Sequence, residues 1–401
     1  MDRKFFFTVG VIVVVFFGSL HAQDSLLNNY QNAASRLLNG DSRLMVGGYA
    51  QVDYNQPIKQ DIYNNGILDV HRFVLLFGYQ FSNKVQFISE IEFEHVKEVY
   101  IEQAFLNYNV NSWLNFRAGL MLIPVGITNE YHEPPSFNGV ERPLIDIYIA
   151  PTTWREIGFG ASGTFSDASL KYQAYIVNGF KSYDGNHNLS GKSGLRGGRQ
   201  KGAESFSSYP NFAGKLEYFG ILGLNLGFSG YFGKTQSTLY DGIEKGNKDA
   251  VSAADSSVVR ISMIGLDSRY RKNGWQFKLQ SYFTSLSNTS QYNSFNSTSG
   301  SSNDLGKAMY GYYVELGYNM FQTLNLVNSE LTPFIRWEEW DTHYKTDEIN
   351  ENPAYHKVGM TIGLGWKITS GCVVKTDFQF MKSEDNEKFN KQLNIGAGIW
   401  F

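Results

Sequence analysis

The chain has 401 residues, 15% of them aromatic, with 40 glycines and 9 prolines, and a polar mean hydropathy of -0.30. Its formal charge of -3 excludes a strongly basic nucleic-acid binder, and its single cysteine, Cys372, excludes an intramolecular disulfide and a cysteine metal cluster. So many aromatics in so polar a chain suit one large β-barrel, with a lipid band, aromatic girdles and a wet interior, better than two ordinary domains.

Residues 1–22 read as a secretory signal peptide. Asp2, Arg3 and Lys4 make a charged start, Phe5 to Phe17 is almost wholly apolar, and Ala22 offers a small residue at the expected cut. The apolar run is shorter than the ~20 residues a spanning helix needs. Cleavage removes Asp2, Arg3 and Lys4, a net +1, and moves the charge from -3 to -4. In the N-terminal periplasmic segment, 23–42, Leu26, Leu27, Tyr30, Ala33, Ala34, Leu37 and Leu38 recur at helical spacing. This predicts a short amphipathic helix, or a tail that plugs the periplasmic mouth or trimerises the chain.

Residues 43–401 form the predicted barrel domain. About sixteen segments alternate between apolar and polar residues, from Arg43–Tyr54 to Lys391–Phe401. Tight turns such as Ser82-Asn83, Asn111-Ser112, Lys272-Asn273 and Thr369-Ser370 follow the even strands. Most odd strands are followed by long polar connections, the longest being Leu122–Trp154 and Asn178–Pro210. Short turns at one end and long loops at the other are the loop distribution of an outer-membrane barrel, with the turns periplasmic and the loops extracellular. The fold class expected is therefore all-β, a sixteen-stranded antiparallel transmembrane barrel. The seven tryptophans fall mostly near strand ends and are assigned to the interfacial girdles. Cys372 shares parity with Val374, Thr376 and Phe378 and is read as a small lipid-facing residue.

Parity also assigns the lumen. In the third strand Glu90, Glu92 and Glu94 share one face, opposite Phe87, Ile91 and Phe93. Carboxylates cost several kcal/mol in hydrocarbon, so the glutamates point inward. The same reasoning makes Arg72, Arg117, Arg155, Arg336 and Glu338 pore-lining. Two readings of this mixed interior stand side by side: opposed charged walls that select among solutes, or charges that pair across strands without selectivity.

The connection Leu122–Trp154 is too long and too apolar to extend into solvent. Folded inward it is a constriction loop, lined by Glu130, His132, Glu133, Glu141, Arg142 and Asp146. In the loop Asn178–Pro210, Lys192, Arg196, Arg199 and Lys201 are interleaved with glycines. They collect anions at the outer mouth, bind lipopolysaccharide phosphates, or are simply solvated. Histidines are scattered, no phosphate-cradling loop precedes a helix, and Gly160-Ala161-Ser162-Gly163 sits on a predicted strand. No catalytic site, cofactor site or metal motif is read, and no enzyme is expected.

The final strand, Gln392 to Phe401, sets Leu393, Ile395, Ala397, Ile399 and Phe401 on one face. It resembles the closing strand of bacterial outer-membrane barrels, which implies recognition of Phe401 by the barrel-assembly machinery. Gly119 to Gly126 with Pro124, then Glu141-Arg142-Pro143, then Arg155-Glu156 and the spaced glycines Gly158 and Gly163 resemble the phosphate-selective porin O and P family. Val125 stands where that family has an aromatic. The resemblance implies a trimeric diffusion channel in outer-membrane lipid and lipopolysaccharide, passing small hydrophilic solutes or ions. Its phosphate-selective members use an arginine ladder and a lysine cluster, and Arg72, Arg117, Arg155, Arg269 and Arg336 could supply part of the ladder. The glutamate row of the third strand runs against that selectivity. A phosphate or anion channel and a non-conducting barrel acting as anchor or binding module are the alternatives.

Overall fold

In the computed structural model the chain closes into one barrel of sixteen antiparallel strands, each paired with its sequence neighbours and the first with the last. The structure describes residues 32–38, 42–59, 61–244, 246–295, 302–324, 329–386 and 388–401. The expected signal peptide, and Leu26, Leu27 and Tyr30 of the expected helix, lie outside these residues. The strands are β1 (Leu44–Ile58), β2 (Ile67–Gln80), β3 (Val85–Glu94), β4 (Glu98–Asn111), β5 (Leu114–Leu122), β6 (Arg155–Phe165), β7 (Leu170–Val177) and β8 (Asn211–Ile221). They continue as β9 (Leu224–Lys234), β10 (Arg260–Lys272), β11 (Trp275–Ser287), β12 (Ala308–Tyr318), β13 (Glu330–Lys345), β14 (His356–Thr369), β15 (Cys372–Ser383) and β16 (Asn390–Trp400). Several run past their predicted ends into the long-loop side. β1 reaches Ile58 because its ladder with β16 continues through Pro57 and Ile58.

Turn chemistry sets the register of the hairpins. Between β10 and β11, Lys272 faces Trp275 across Asn273 and Gly274, both at positive φ (52° and 83°). That is the two-residue turn whose twist matches the flanking strands, and Asn-Gly is its preferred sequence. Around the outside, apolar side chains are exposed at every second position, as with Ile264 and Leu266 on β10 and Phe116 on β5. Cys372 on β15 is half-buried, on the same parity as exposed Val374.

The interior departs from the sequence-based expectation at the long-loop end. There the loops do not stay out in water; they turn inward and build an apolar core inside the barrel mouth. Trp154, Phe180 and Tyr231 pack ring on ring, with centroids 4.6 Å and 5.6 Å apart. Ile261, Met263, Leu286 and Met309 from the walls meet Leu189, Leu195 and Tyr292 from the loops. Two predicted girdle residues belong to this core: Trp154 is fully buried, and Trp340 is stacked on Tyr148 inside the barrel. Trp400 also leaves the girdle. It faces inward at the short-turn end, under the Arg36 guanidinium at 4.3 Å. Trp113, Trp275, Trp337 and Trp366 do expose their rings on the outer surface. A helix, α1 (Ala33–Leu38), lies at that same end, with Ala34 and Leu37 buried and the Leu38 carbonyl accepting from Gln86 Nε2 at 3.1 Å.

Candidate functional site

The site is the lumen and the loop that crosses it. After β5 the chain turns at Pro124-Val125-Gly126 and enters the barrel. Gly126 holds φ at +78°, and a Cβ there would fall 1.8 Å from Tyr282 Oη. Only glycine accepts both the dihedral and the contact. From there to Trp154 most of the loop is buried, and it satisfies its polar groups against the walls on many sides. Lys215 Nζ on β8 donates to Gly126 O at 2.7 Å and lies 3.1 Å from Glu130 Oε2. Gln280 on β11 accepts from Ile127 N at 2.8 Å. Lys375 on β15 donates to Phe137 O at 2.6 Å and Gly139 O at 2.9 Å. Asp377 accepts from Val140 N at 2.6 Å, and Glu338 on β13 accepts from Leu144 N at 2.5 Å. The wall charges thus serve as sockets for loop backbone groups that water would otherwise have to satisfy.

The predicted pore-lining residues all point inward, and most are engaged. Arg72 lies 3.6 Å from Glu92. Arg336 is fully buried between Glu315 at 3.4 Å and Glu338 at 3.5 Å. Arg155 sits 3.9 Å from Glu102, and Arg117 donates to Tyr175 Oη at 3.0 Å. Glu94 is half-buried near the long-loop end. Cross-strand pairing therefore accounts for much of this interior, and removing one partner would leave the other charge buried and uncompensated.

Within the loop, His132 Nε2 reaches Glu102 Oε2 at 3.2 Å and Glu90 Oε1 at 3.6 Å. Glu133 is fully buried. Asn55 donates to Glu141 at 2.8 Å, and Arg142 donates to His132 O at 3.2 Å. Asp146 accepts from Tyr282 Oη at 2.6 Å. Burial pushes the Asp146 carboxyl up to about 7 against the bonds from Thr128 and Tyr282, which act to lower it. At Glu130 burial also acts upward, but the ammonium groups of Lys215 and Lys171 outweigh it and hold that carboxyl below its usual range.

The basic loop is not a solvated rim. Lys192 is exposed, but Arg196 and Arg199 fold down and donate to Thr152 O on the inward loop. Lys201 lies over the Tyr100 ring at 4.5 Å. Burial lowers the Arg199 pKa, helped by the charges of Arg196 and Arg155.

Space remains on both sides of the crossing. At the long-loop end a cavity of about 200 Å³ is bordered by His71, Arg72, Glu94, Glu141, Arg142 and Arg196. Toward the short-turn end two cavities of about 450 Å³ and 390 Å³ meet at Tyr131, with α1 residues in the walls of both.

Alternation missed Glu102 because β4 carries a bulge. Glu90 pairs with Gln103 but Ile91 pairs with Ile101, so Glu102 is the extra residue. Glu102 and Gln103 consequently both turn inward, at 0% and 6% exposure. Two adjacent polar residues in an otherwise alternating strand were the available signal. Glu315 and Lys278, paired at 3.5 Å, were also missed.

No protein-family model matches the chain. It is 31% identical over 383 residues to an uncharacterized protein of Aquifex aeolicus (strain VF5), covering 92% of this chain and 82% of that one. Among solved structures it is similar to the outer membrane channel DcaP of Acinetobacter baumannii, with a TM-score of 0.57 at 13% identity, covering 89% of this chain and 97% of that one. OmpF of Salmonella typhi follows at 0.56 and 12% identity, covering 89% and 97%. An anion-selective porin of Comamonas acidovorans gives 0.54 at 10% identity, covering 89% and 99%. At these identities the likeness is one of fold.

Proposed function

The chain belongs to one family with the Aquifex aeolicus protein, and we propose that it is an outer-membrane porin, a passive channel for small hydrophilic solutes or ions. The observation that carries this reading is the inward loop. It is held across a charged lumen by Lys215, Asp377, Glu338 and Lys375, with charge-lined cavities on both of its sides. An apolar outer band holds the barrel in lipid, lumen charges keep the interior wet, and the loop sets the size limit. Trimers, short turns facing the periplasm, signal cleavage after Ala22 and recognition of Phe401 during assembly belong to the same proposal. Because so many lumen charges are paired, selectivity is weak rather than phosphate-specific.

A second reading is favoured by the apolar core around Trp154, Phe180 and Tyr231, which packs loop side chains against the inner wall at the long-loop end. On that reading the barrel is closed and serves as an anchor or binding module. Planar-bilayer conductance of the refolded barrel under a salt gradient separates them. Stable open steps with weak ion preference support the porin. Strong anion preference with block by millimolar phosphate replaces it with an anion channel using Arg155, Arg196, Arg199 and Lys201. Silent, correctly folded barrels sink the porin and leave the anchor.

A further inference from the structure

We propose that Glu90, Glu102 and His132 form a binding site for a divalent transition-metal ion that pins the inward loop to the barrel wall. Glu90 comes from β3, Glu102 from the β4 bulge and His132 from the loop, and all three are at most 1% exposed. One donor atom from each lies within 4.8 Å of the others. His132 Nε2 stands 3.2 Å from Glu102 Oε2 and 3.6 Å from Glu90 Oε1. Donors around a tetrahedral zinc ion, at bond lengths of about 2.0–2.2 Å, stand about 3.3 Å apart. The cluster therefore needs little movement to close on a metal.

Three further features point the same way. His132 Nδ1 lies 3.1 Å from Asn129 O, a carbonyl that can only accept. That contact places a proton on Nδ1 and aims Nε2 at the carboxylates, as the outer partners of metal-ligating histidines do. Glu102 Oε1 is buried without a hydrogen-bond partner, with Arg155 Nη1 3.9 Å away. Tyr49 Oη stands 3.0 Å from Glu90 Oε1 and 3.4 Å from Glu102 Oε2, able to orient both or supply a fourth oxygen. The bulge is what delivers Glu102, since an unbroken ladder would turn it toward lipid. One imidazole with carboxylates suits zinc or a neighbouring first-row ion rather than magnesium or calcium, which prefer oxygen alone. Without the ion, an imidazolium between two carboxylates fills the same space. Metal binding replaces the Nε2 proton and releases it.

Metal binding at this site is independent of conduction and is measured apart from the bilayer experiment. Full-length folded barrel, stripped with chelator, is titrated calorimetrically with zinc chloride in detergent. One zinc per chain is expected, with Glu102→Gln and His132→Gln each weakening it by about 100-fold or more while heat-modifiable migration shows the barrel intact. Should either variant misfold, X-ray absorption of the zinc-loaded wild type decides: a single imidazole in an oxygen shell supports the site. No stoichiometric zinc on folded wild type, binding unchanged in both folded variants, or a shell with several imidazoles or none overturns it.

Discussion

Lys215 Nζ on β8 lies 3.1 Å from Glu130 Oε2 on the inward loop and 3.5 Å from Asp267 Oδ2 on β10. One ammonium thus joins two wall strands, β8 and β10 on either side of β9, to the loop, and all three side chains are almost fully buried. Lys215→Met keeps the volume but leaves two buried carboxylates without their cation. The expected loss is about 3–5 kcal/mol, the usual consequence of breaking a buried pair from one side. Adding Glu130→Gln removes one of those charges and recovers part of the loss. Urea unfolding of both variants in detergent measures this, and equal stability of the single and double variants would contradict it.

Asp146 makes loop docking depend on pH. Its folded pKa of about 7 lies above the usual value of 3.8, chiefly from burial. The neighbouring groups are Thr128 and Tyr282, which bond it, and Glu338 and Arg336, which act through charge. The folded state therefore holds a proton that the unfolded loop has lost between about pH 4 and 7. This group's contribution is fully present below that window and fades as pH rises through 7. Limited proteolysis of residues 123–154 is expected to speed up from pH 5 to pH 8. Asp146→Asn, which keeps the neutral form throughout, flattens that rise.

The outer face is tested at Leu266, which is 53% exposed in the middle of β10. Leu266→Arg is expected to destabilise the barrel in lipid vesicles by about 2–4 kcal/mol, as a charge at the bilayer midplane does. Leu266→Ala costs less. Refolding titrations into vesicles give both values, and an Arg variant as stable as wild type would place this face away from lipid.

The strand count, the sorting of turns from loops, and the inward direction of Arg72, Glu90, Arg117 and Arg336 were legible in the sequence. Each follows from a period of two and from the cost of charge in hydrocarbon, both local properties. The inward course of Leu122–Trp154 was legible too, because its apolar residues needed a place to be buried. What local pattern could not supply was the partner of each group. Trp154 and Trp340 read as girdle residues because nothing near them in sequence announces Phe180, Tyr231 or Tyr148 across the mouth. Arg196 and Arg199 read as anion-collecting, lipopolysaccharide-binding or solvated, and not as loop anchors, because their acceptor, Thr152 O, lies more than forty residues away. Glu102 read as an ordinary strand position because a bulge exists only relative to the opposite strand. Strand direction and facing are written residue by residue, by sterics and solvation. Which charges pair, where the loops pack, and how Glu90, Glu102 and His132 converge were decided only when β3, β4 and the loop met in space.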